Sequence, residues 1–314
     1  MASKYKNKKV AVILGFYNGN DYIETQIKSI LEQDFKNIDI YIFDDNSTLN
    51  VELKKTKTDK NSKCKIKIFK RERNVGYAKN FLLGLKEAGN NYYFYAFSDQ
   101  DDIWELDKIN RGGEALNSQG SNLPKLYCSR TAYFNSDCSK EIGSSKIHTK
   151  KPTFANALLQ NIAGGNTIIM NKLARKLVIK TVKAKKFISH DWWCYLIISG
   201  SGGMIIFDDA KTVKYRQHQK NLIGMNIGFK NQKSRLLEFA SGKVKNWLDS
   251  NFENLNKNKS LLTKHNLKIL YYFSKARRSK SIFKRLIYFY RSGVYRQSFS
   301  ENVMFTIGII FKKI

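Results

Sequence analysis

Proline is nearly absent, with 2 in 314 residues, which excludes long proline-rich linkers. Cysteine is scarce too. Cys64, Cys128, Cys138 and Cys194 form no CxxC pair and no cysteine–histidine cluster with zinc spacing, so a zinc module is excluded and a reducing compartment fits best. No apolar run reaches the roughly 18 to 20 residues needed to cross a bilayer. Residues 1–9 are polar and basic, and the apolar run after them is too short and strand-like for a signal peptide. No GxGxxG follows that first apolar run and no P-loop occurs, so neither a dinucleotide fold nor a P-loop kinase is supported. Acidic residues are few: 26 Asp and Glu stand against 56 Lys and Arg, a formal charge of +30. That excess implies an anionic partner, whether nucleic acid, anionic membrane surface or phosphorylated substrate. The remaining composition, 42% hydrophobic and 26% charged, is that of a globular chain with room for one or two domains.

The residues that are present organise around 92–104. Tyr92 to Phe97 is aromatic and small apolar, and reads as a strand buried on both faces. Asp99, Asp101 and Asp102 then place three carboxylates within four positions, where the strand should end. Carboxylates so close repel one another unless a cation holds them. Hard oxygen ligands suit Mg²⁺ or Mn²⁺, which take their remaining ligands from water and substrate phosphates. The alternative is an acidic loop capping the next helix at Asp102.

Upstream, strand and helix alternate. Residues 10–16 form a continuous apolar run, as in a central parallel strand. A turn over 17–21 leads to helical spacing of Ile23, Ile27, Ile30 and Leu31 within 22–33. Further strands are expected at 38–43 and 64–69, and a helix at 78–88 opened by Asn74-Val75-Gly76. Such alternation predicts an α/β fold of right-handed βαβ units with a mostly parallel sheet. Ligands of such sheets bind outside the carboxyl ends of the strands. Three of those ends carry similar polar residues: Tyr17-Asn18, Asp44-Asp45 and 99–102. Their convergence favours a metal-assisted phosphate site.

In this order, the first strand with Tyr17-Asn18, Asp44-Asp45-Asn46-Ser47, Asn74-x-Gly76 and Ser98-Asp99-Gln100-Asp101-Asp102-Ile103-Trp104 resemble the family 2 glycosyltransferases of GT-A fold over residues 8–225. The Asp-Gln-Asp-Asp-Ile-Trp form is similar to bacterial rhamnosyltransferases of cell-surface polysaccharide synthesis, such as capsule or cell wall. The resemblance implies a Rossmann-like mixed, mostly parallel sheet flanked by helices. It also implies a nucleotide-diphosphate sugar donor, Mn²⁺ or Mg²⁺, and inversion at the anomeric carbon. It places Tyr17 against the base and Asp45 at the pyrimidine N3–H, with Asn74 and Gly76 in a nucleotide-side loop. A carboxylate accepts from an imide N–H and would reject cytosine, which lacks one. Asp99 and Asp101 match the DxD pair, Asp101 as direct metal ligand and Asp99 toward the donor sugar or ribose. Asp44 is expected to support its loop, and Asp102 to stand behind the metal or cap a helix. Residue Gly165, of the pair before Thr167, is expected near the donor, a plain turn being the alternative.

Two more centres follow the same resemblance. Asp191, in Ser189-His190-Asp191-Trp192-Trp193 at a helix start, matches the catalytic base, with His190 where the family commonly has Glu. Trp192 or Trp193 is expected to stack on an acceptor sugar, the other belonging to the core. Arg216-x-His218-x-x-Asn221 resembles a loop closing the donor site, His218 as a metal or diphosphate ligand and Arg216 neutralising the leaving group. His148 and His265 are expected at the surface.

From about 227 the composition shifts: residues 230–314 hold 19 Lys and Arg against 4 Asp and Glu. Apolar and aromatic residues recur at helical spacing over 261–273 and 282–290, the pattern of basic helices on an anionic membrane surface or of a solvated pair packed on the catalytic domain. The expected division is a catalytic domain at 1–226 and a basic helical region at 227–314. The expected enzyme lies in the cytoplasm at the inner face of the cytoplasmic membrane. It transfers rhamnose from dTDP-rhamnose, or galactose or glucose from a UDP-sugar, to a glycan or lipid-linked acceptor. A nucleic-acid-binding protein fits the charge but shows no RRM, KH or zinc-finger signature. A nucleotidyltransferase on a related fold is a further rival.

Overall fold

The computed structural model describes residues 8–53, 64–118, 122–183, 186–218 and 241–314. Its first half is four parallel strands. These are β1 (Val10–Phe16), β2 (Ile38–Asp44), β3 (Lys65–Lys70) and β4 (Phe94–Ser98), in the order β3-β2-β1-β4. Successive strand residues point to opposite faces. Val10, Val12 and Leu14 therefore join Ile23, Ile27 and Ile30 of α1 (Asn20–Leu31) on one face. Ala11 and Ile13 join Phe81, Leu82 and Leu85 of α2 (Tyr77–Glu87) on the other. Burial on both faces is why these strands read as unbroken apolar runs. The edge strand β3 alternates lysine with apolar residues and is mostly exposed.

The second half extends the sheet with mixed direction. After β5 (Ile103–Trp104) and α3 (Lys108–Asn117) come β6 (Lys125–Phe134), β7 (Glu141–Ser144) and α4 (Phe154–Ala157). Then follow β8 (Ile169–Asn171), α5 (Lys172–Ile179), α6 (His190–Gly200) and β9 (Met204–Arg216). β8 runs antiparallel to both β4 and β6, β9 runs parallel to β6, and β5 pairs antiparallel with β9. The strand β6 is ten residues long. Ser129, Arg130 and Thr131 continue it while breaking its apolar run. α6 is apolar all round and wholly buried, as expected of a central helix.

Four helices close the chain: α7 (Lys243–Lys257), α8 (Lys264–Arg278), α9 (Ile282–Ser292) and α10 (Phe299–Ile310). Leu255, Phe273 and Phe305 from them share one apolar cluster with Trp193, Leu196 and Ile197 of α6. Asn266 Nδ2 donates to the carbonyls of Ser199 and Gly200 at 3.0 and 2.9 Å, capping the carboxyl end of α6. The expected boundary at 226/227, like Asn221, lies outside the described residues. Among the described residues, no helix is long and apolar enough to cross a membrane.

Candidate active site

The carboxyl ends of β1, β2 and β4 open into a cleft of about 1130 Å³. Tyr17, Asp45, Asn74, Gly76, Asp99, Asp101, Gly165, Asp191 and His218 all line it. At one end, loops from separate strands are laced together. Asp44 Oδ1 accepts from the Ser47 N–H and hydroxyl, the loop-supporting role expected of it. Asp45 is buried, and its two oxygens accept from the N–H groups of Val75 and Gly76 at 2.8 and 2.9 Å. So the 74–76 loop hangs on Asp45. Gly76 has φ +84 with open space where a Cβ would sit, so its backbone conformation demands glycine. Gln100 Oε1 accepts from the Tyr17 N–H at 2.8 Å and its Nε2 donates to the Tyr17 carbonyl, fixing the turn while the Tyr17 ring stays 49% exposed. This role for Gln100 carries no signal in the sequence beyond its place in the acidic run.

Beneath lies the acidic cluster. Burial, then the neighbouring Asp101 and Asp191 carboxylates, push Asp99 up to about 7. Asp102 is raised by burial and by Asp99 and Asp101. Its Oδ2 accepts from Asn166 Nδ2 at 2.7 Å, while its Oδ1 is buried without a partner. The residue preceding α3 is Asp107, so Asp102 stands inside the cluster and does not cap that helix. Lys108 is also fully buried, and burial lowers its ammonium to about 7. The cluster therefore lacks full cationic compensation. Asp101 Oδ2 lies 2.8 Å from His218 Nε2, and the His218 ring stacks on Tyr22 at 4.7 Å. Two ligands at right angles on an ion with ~2.1 Å bonds would be ~3.0 Å apart, so this pair fits a divalent cation that takes further ligands from water and phosphate. Among the described residues no set of three His, Cys, Asp or Glu side chains forms a metal cage. Arg216, expected to neutralise the leaving group, is instead buried and does not line the cleft. Its guanidinium donates to the carbonyls of Asp101 and Ser136 at 3.0 and 2.7 Å and so braces the Asp101 loop from behind.

Asp191 sits in the first turn of α6, where the helix dipole favours a carboxylate. His190 beside it is buried in an aromatic box, stacked on Phe81 at 4.1 Å and edge-on to Phe97 at 4.8 Å. Neither of its ring nitrogens has a hydrogen-bond partner. Burial pushes it down to about 4, so the imidazole is neutral at physiological pH. A Cβ on Gly165 would come within 2.7 Å of His190 Nε2. The glycine is thus required for packing against His190, whatever lies in the cleft.

Two expectations fail here. Trp192 and Trp193 are both core residues: Trp192 Nε1 donates to the Ala157 carbonyl at 2.7 Å and Trp193 Nε1 to Thr181 Oγ1 at 2.8 Å. Exposing a ring that buries ~150–250 Å² would forfeit about 4–6 kcal/mol, so neither is a sugar platform. His148 is half-buried and lines the cleft edge-on to Phe207 at 4.8 Å, and burial lowers it to about 4. The far end of the cleft is instead lined by Tyr133, His148, Phe207, Tyr215, Arg296 and Glu301. Arg296 Nε donates to Glu301 at 3.1 Å, and its other arm reaches the Leu159 carbonyl at 2.6 Å. Sequence reading missed Arg296 and Glu301, because 296–301 is remote from every motif.

A parallel half-sheet sharing an acidic cleft with a mixed extension is the GT-A architecture. The family model "Glycosyl transferase family 2" matches residues 11–178, over half of the chain, and the chain belongs to that family. It is 34% identical over 229 residues to the dTDP-rhamnosyl transferase RfbG of Shigella flexneri, covering 70% of this chain and 76% of the relative. It is 33% identical over 100 residues to the UDP-Glc:alpha-D-GlcNAc-diphosphoundecaprenol beta-1,3-glucosyltransferase WfgD of Escherichia coli, 32% of this chain and 38% of that one. Among solved structures, S. aureus TarS 1-349 in complex with UDP-GlcNAc matches with TM-score 0.54 at 15% identity, covering 96% of this chain and 90% of that one. The protein is a glycosyltransferase.

Proposed function

We propose that the protein is an inverting transferase that moves rhamnose from dTDP-rhamnose to a glycan or lipid-linked glycan during cell-surface polysaccharide synthesis, at the inner face of the cytoplasmic membrane. Residues 1–226 carry the chemistry in this reading, and 227–314 seat the enzyme beside its acceptor. The carrying observation is that Asp45, Asp99, Asp101 and Asp191, from three separate segments, line one cleft. Rhamnose is favoured by the similarity to RfbG, which extends well beyond the first half of the chain. A UDP-glucose or UDP-galactose donor is the second reading, favoured by the shorter similarity to WfgD.

The residues divide the work. Tyr17 stacks on the base, and the Asp45 loop with Asn74 and Gly76 holds the nucleotide. Asp101 and His218 would hold Mn²⁺ or Mg²⁺, which when bound offsets negative charge on the donor diphosphate. Asp99 faces the donor sugar, and Arg216 keeps the Asp101 loop in place. Asp191 accepts the proton of the acceptor hydroxyl as its oxygen attacks the anomeric carbon from the face opposite the diphosphate, inverting configuration. A panel of dTDP- and UDP-sugars with Mn²⁺, scored by thermal shift, tests the reading, because a bound donor raises Tm by mass action. We expect the largest shift with dTDP-rhamnose, and loss of its divalent-dependent part in Asp101→Ala. No shift with any nucleotide sugar, or release of pyrophosphate during turnover, overturns it.

A further inference from the structure

The last two helices each present an outward apolar stripe opposite the face they bury. On α9 the stripe is Phe283, Ile287 and Tyr290, with Phe283 80% and Tyr290 88% exposed, and Lys284 and Arg291 flank it. On α10 it is Phe299, Val303 and Ile307, continued by Phe311, with Phe299 82% exposed. These positions recur every three or four residues, while Phe305 and Ile309 on the other side of α10 sit in the core. Large aromatics exposed in series leave apolar surface in water with no internal reason. Residues 241–314 carry 16 Lys and Arg against 3 Asp and Glu.

We propose that these two stripes are the seat of the protein on an anionic lipid bilayer, aromatics entering the headgroup–acyl boundary and lysines and arginines pairing with lipid phosphates. A second copy is the poorer occupant, since two chains of +30 repel. Nucleic acid would use the charge and leave the aromatic stripes in water. The seat is joined to the cleft: Arg296, between the two helices, and Glu301, in the first turn of α10, line the same hollow as Asp191. A bilayer holding α9 and α10 therefore brings lipid headgroups to the far end of the cleft, where a lipid-linked acceptor would enter. This last step rests on the transferase reading above, whereas the seat itself does not.

The test is co-sedimentation of the full chain with phosphatidylglycerol-containing and with pure phosphatidylcholine vesicles, no donor present. We expect partition onto the anionic vesicles only, weakened by salt. Phe283→Asp with Tyr290→Asp, and separately Phe299→Asp with Phe311→Asp, should each lower that partition at least tenfold. The donor-induced thermal shift, read without vesicles, should stay unchanged and so report an intact fold and cleft. Phe283→Leu should retain binding. Equal partition onto neutral vesicles, no partition, or partition untouched by both double variants overturns the proposal. So does a concentration-dependent dimer that the same variants dissolve. A missing donor shift with intact vesicle binding would defeat the transferase reading alone.

Discussion

The two ends of the cleft are made differently. The end formed by β1, β2 and β4 is held by hydrogen bonds among neighbouring strand ends: Asp44 to Ser47, Asp45 to Val75 and Gly76, Gln100 to Tyr17. It is preorganised, because these groups already have protein partners. The far end is assembled from β6, β9 and the 296–301 segment, parts that meet only after the chain has wrapped round α6. Its shape depends on long-range packing, and the Arg296–Glu301 pair stands in for local lacing. Between them lies Asp191, which would serve both. A repeated βα unit builds one end by local rule, whereas the other is built by segments distant in sequence.

Substitutions can separate the two ends. The largest effect is expected at the junction: Asp191→Asn should lower transfer about 10²–10⁴-fold while donor binding by calorimetry persists. Transfer near the wild-type rate would remove Asp191 from the base role. Next is the buried imidazole between the ends. His190 has a folded value of about 4 against an ordinary 6.5, so the unfolded chain binds the proton first as pH falls. Its contribution is intact above pH 6.5 and is lost between 6.5 and 4, up to about 3 kcal/mol. His190→Phe should keep the stacking and abolish that loss. The difference between the two denaturation curves across this window isolates His190, since Asp99, shifted the opposite way, is common to both proteins.

Asp45→Ala should strip two backbone N–H groups of their partner and cost about 1–3 kcal/mol, seen by chemical denaturation, together with weaker donor binding and an unaltered acceptor KM. Arg296→Ala should show the converse, a rise of about tenfold in acceptor KM, equivalent to about 1.4 kcal/mol, with donor binding untouched. If Asp45→Ala and Arg296→Ala disturbed both substrates alike, the two ends would be one unit and the distinction drawn here would fail.

Much of the end formed by β1, β2 and β4 was legible in the sequence. Burial on both faces forces continuous apolar strands, and the charged or aromatic residues left at their ends have only the cleft to enter. Thus Tyr17, Asp45, Asp99 and Asp101 were placed by pattern alone. Trp192 and Trp193 misled, because an aromatic pair beside a functional carboxylate looks the same whether it faces sugar or core. Only burial and their Nε1 partners decide. His148 misled in the opposite sense, since a lone histidine carries no periodicity.

The sequence by itself determined the alternation of strand and helix in the first half, the acidic cluster and the basic helical end, because local periodicity and charge suffice to specify them. The tertiary structure alone decided the cleft wall of Tyr133, His148, Phe207 and Tyr215, the packing of Gly165 on His190, and the joining of α9 and α10 to the cleft. Those features are contacts between residues as many as 137 positions apart, as in Arg296 to Leu159, and no local pattern encodes which distant surfaces will meet.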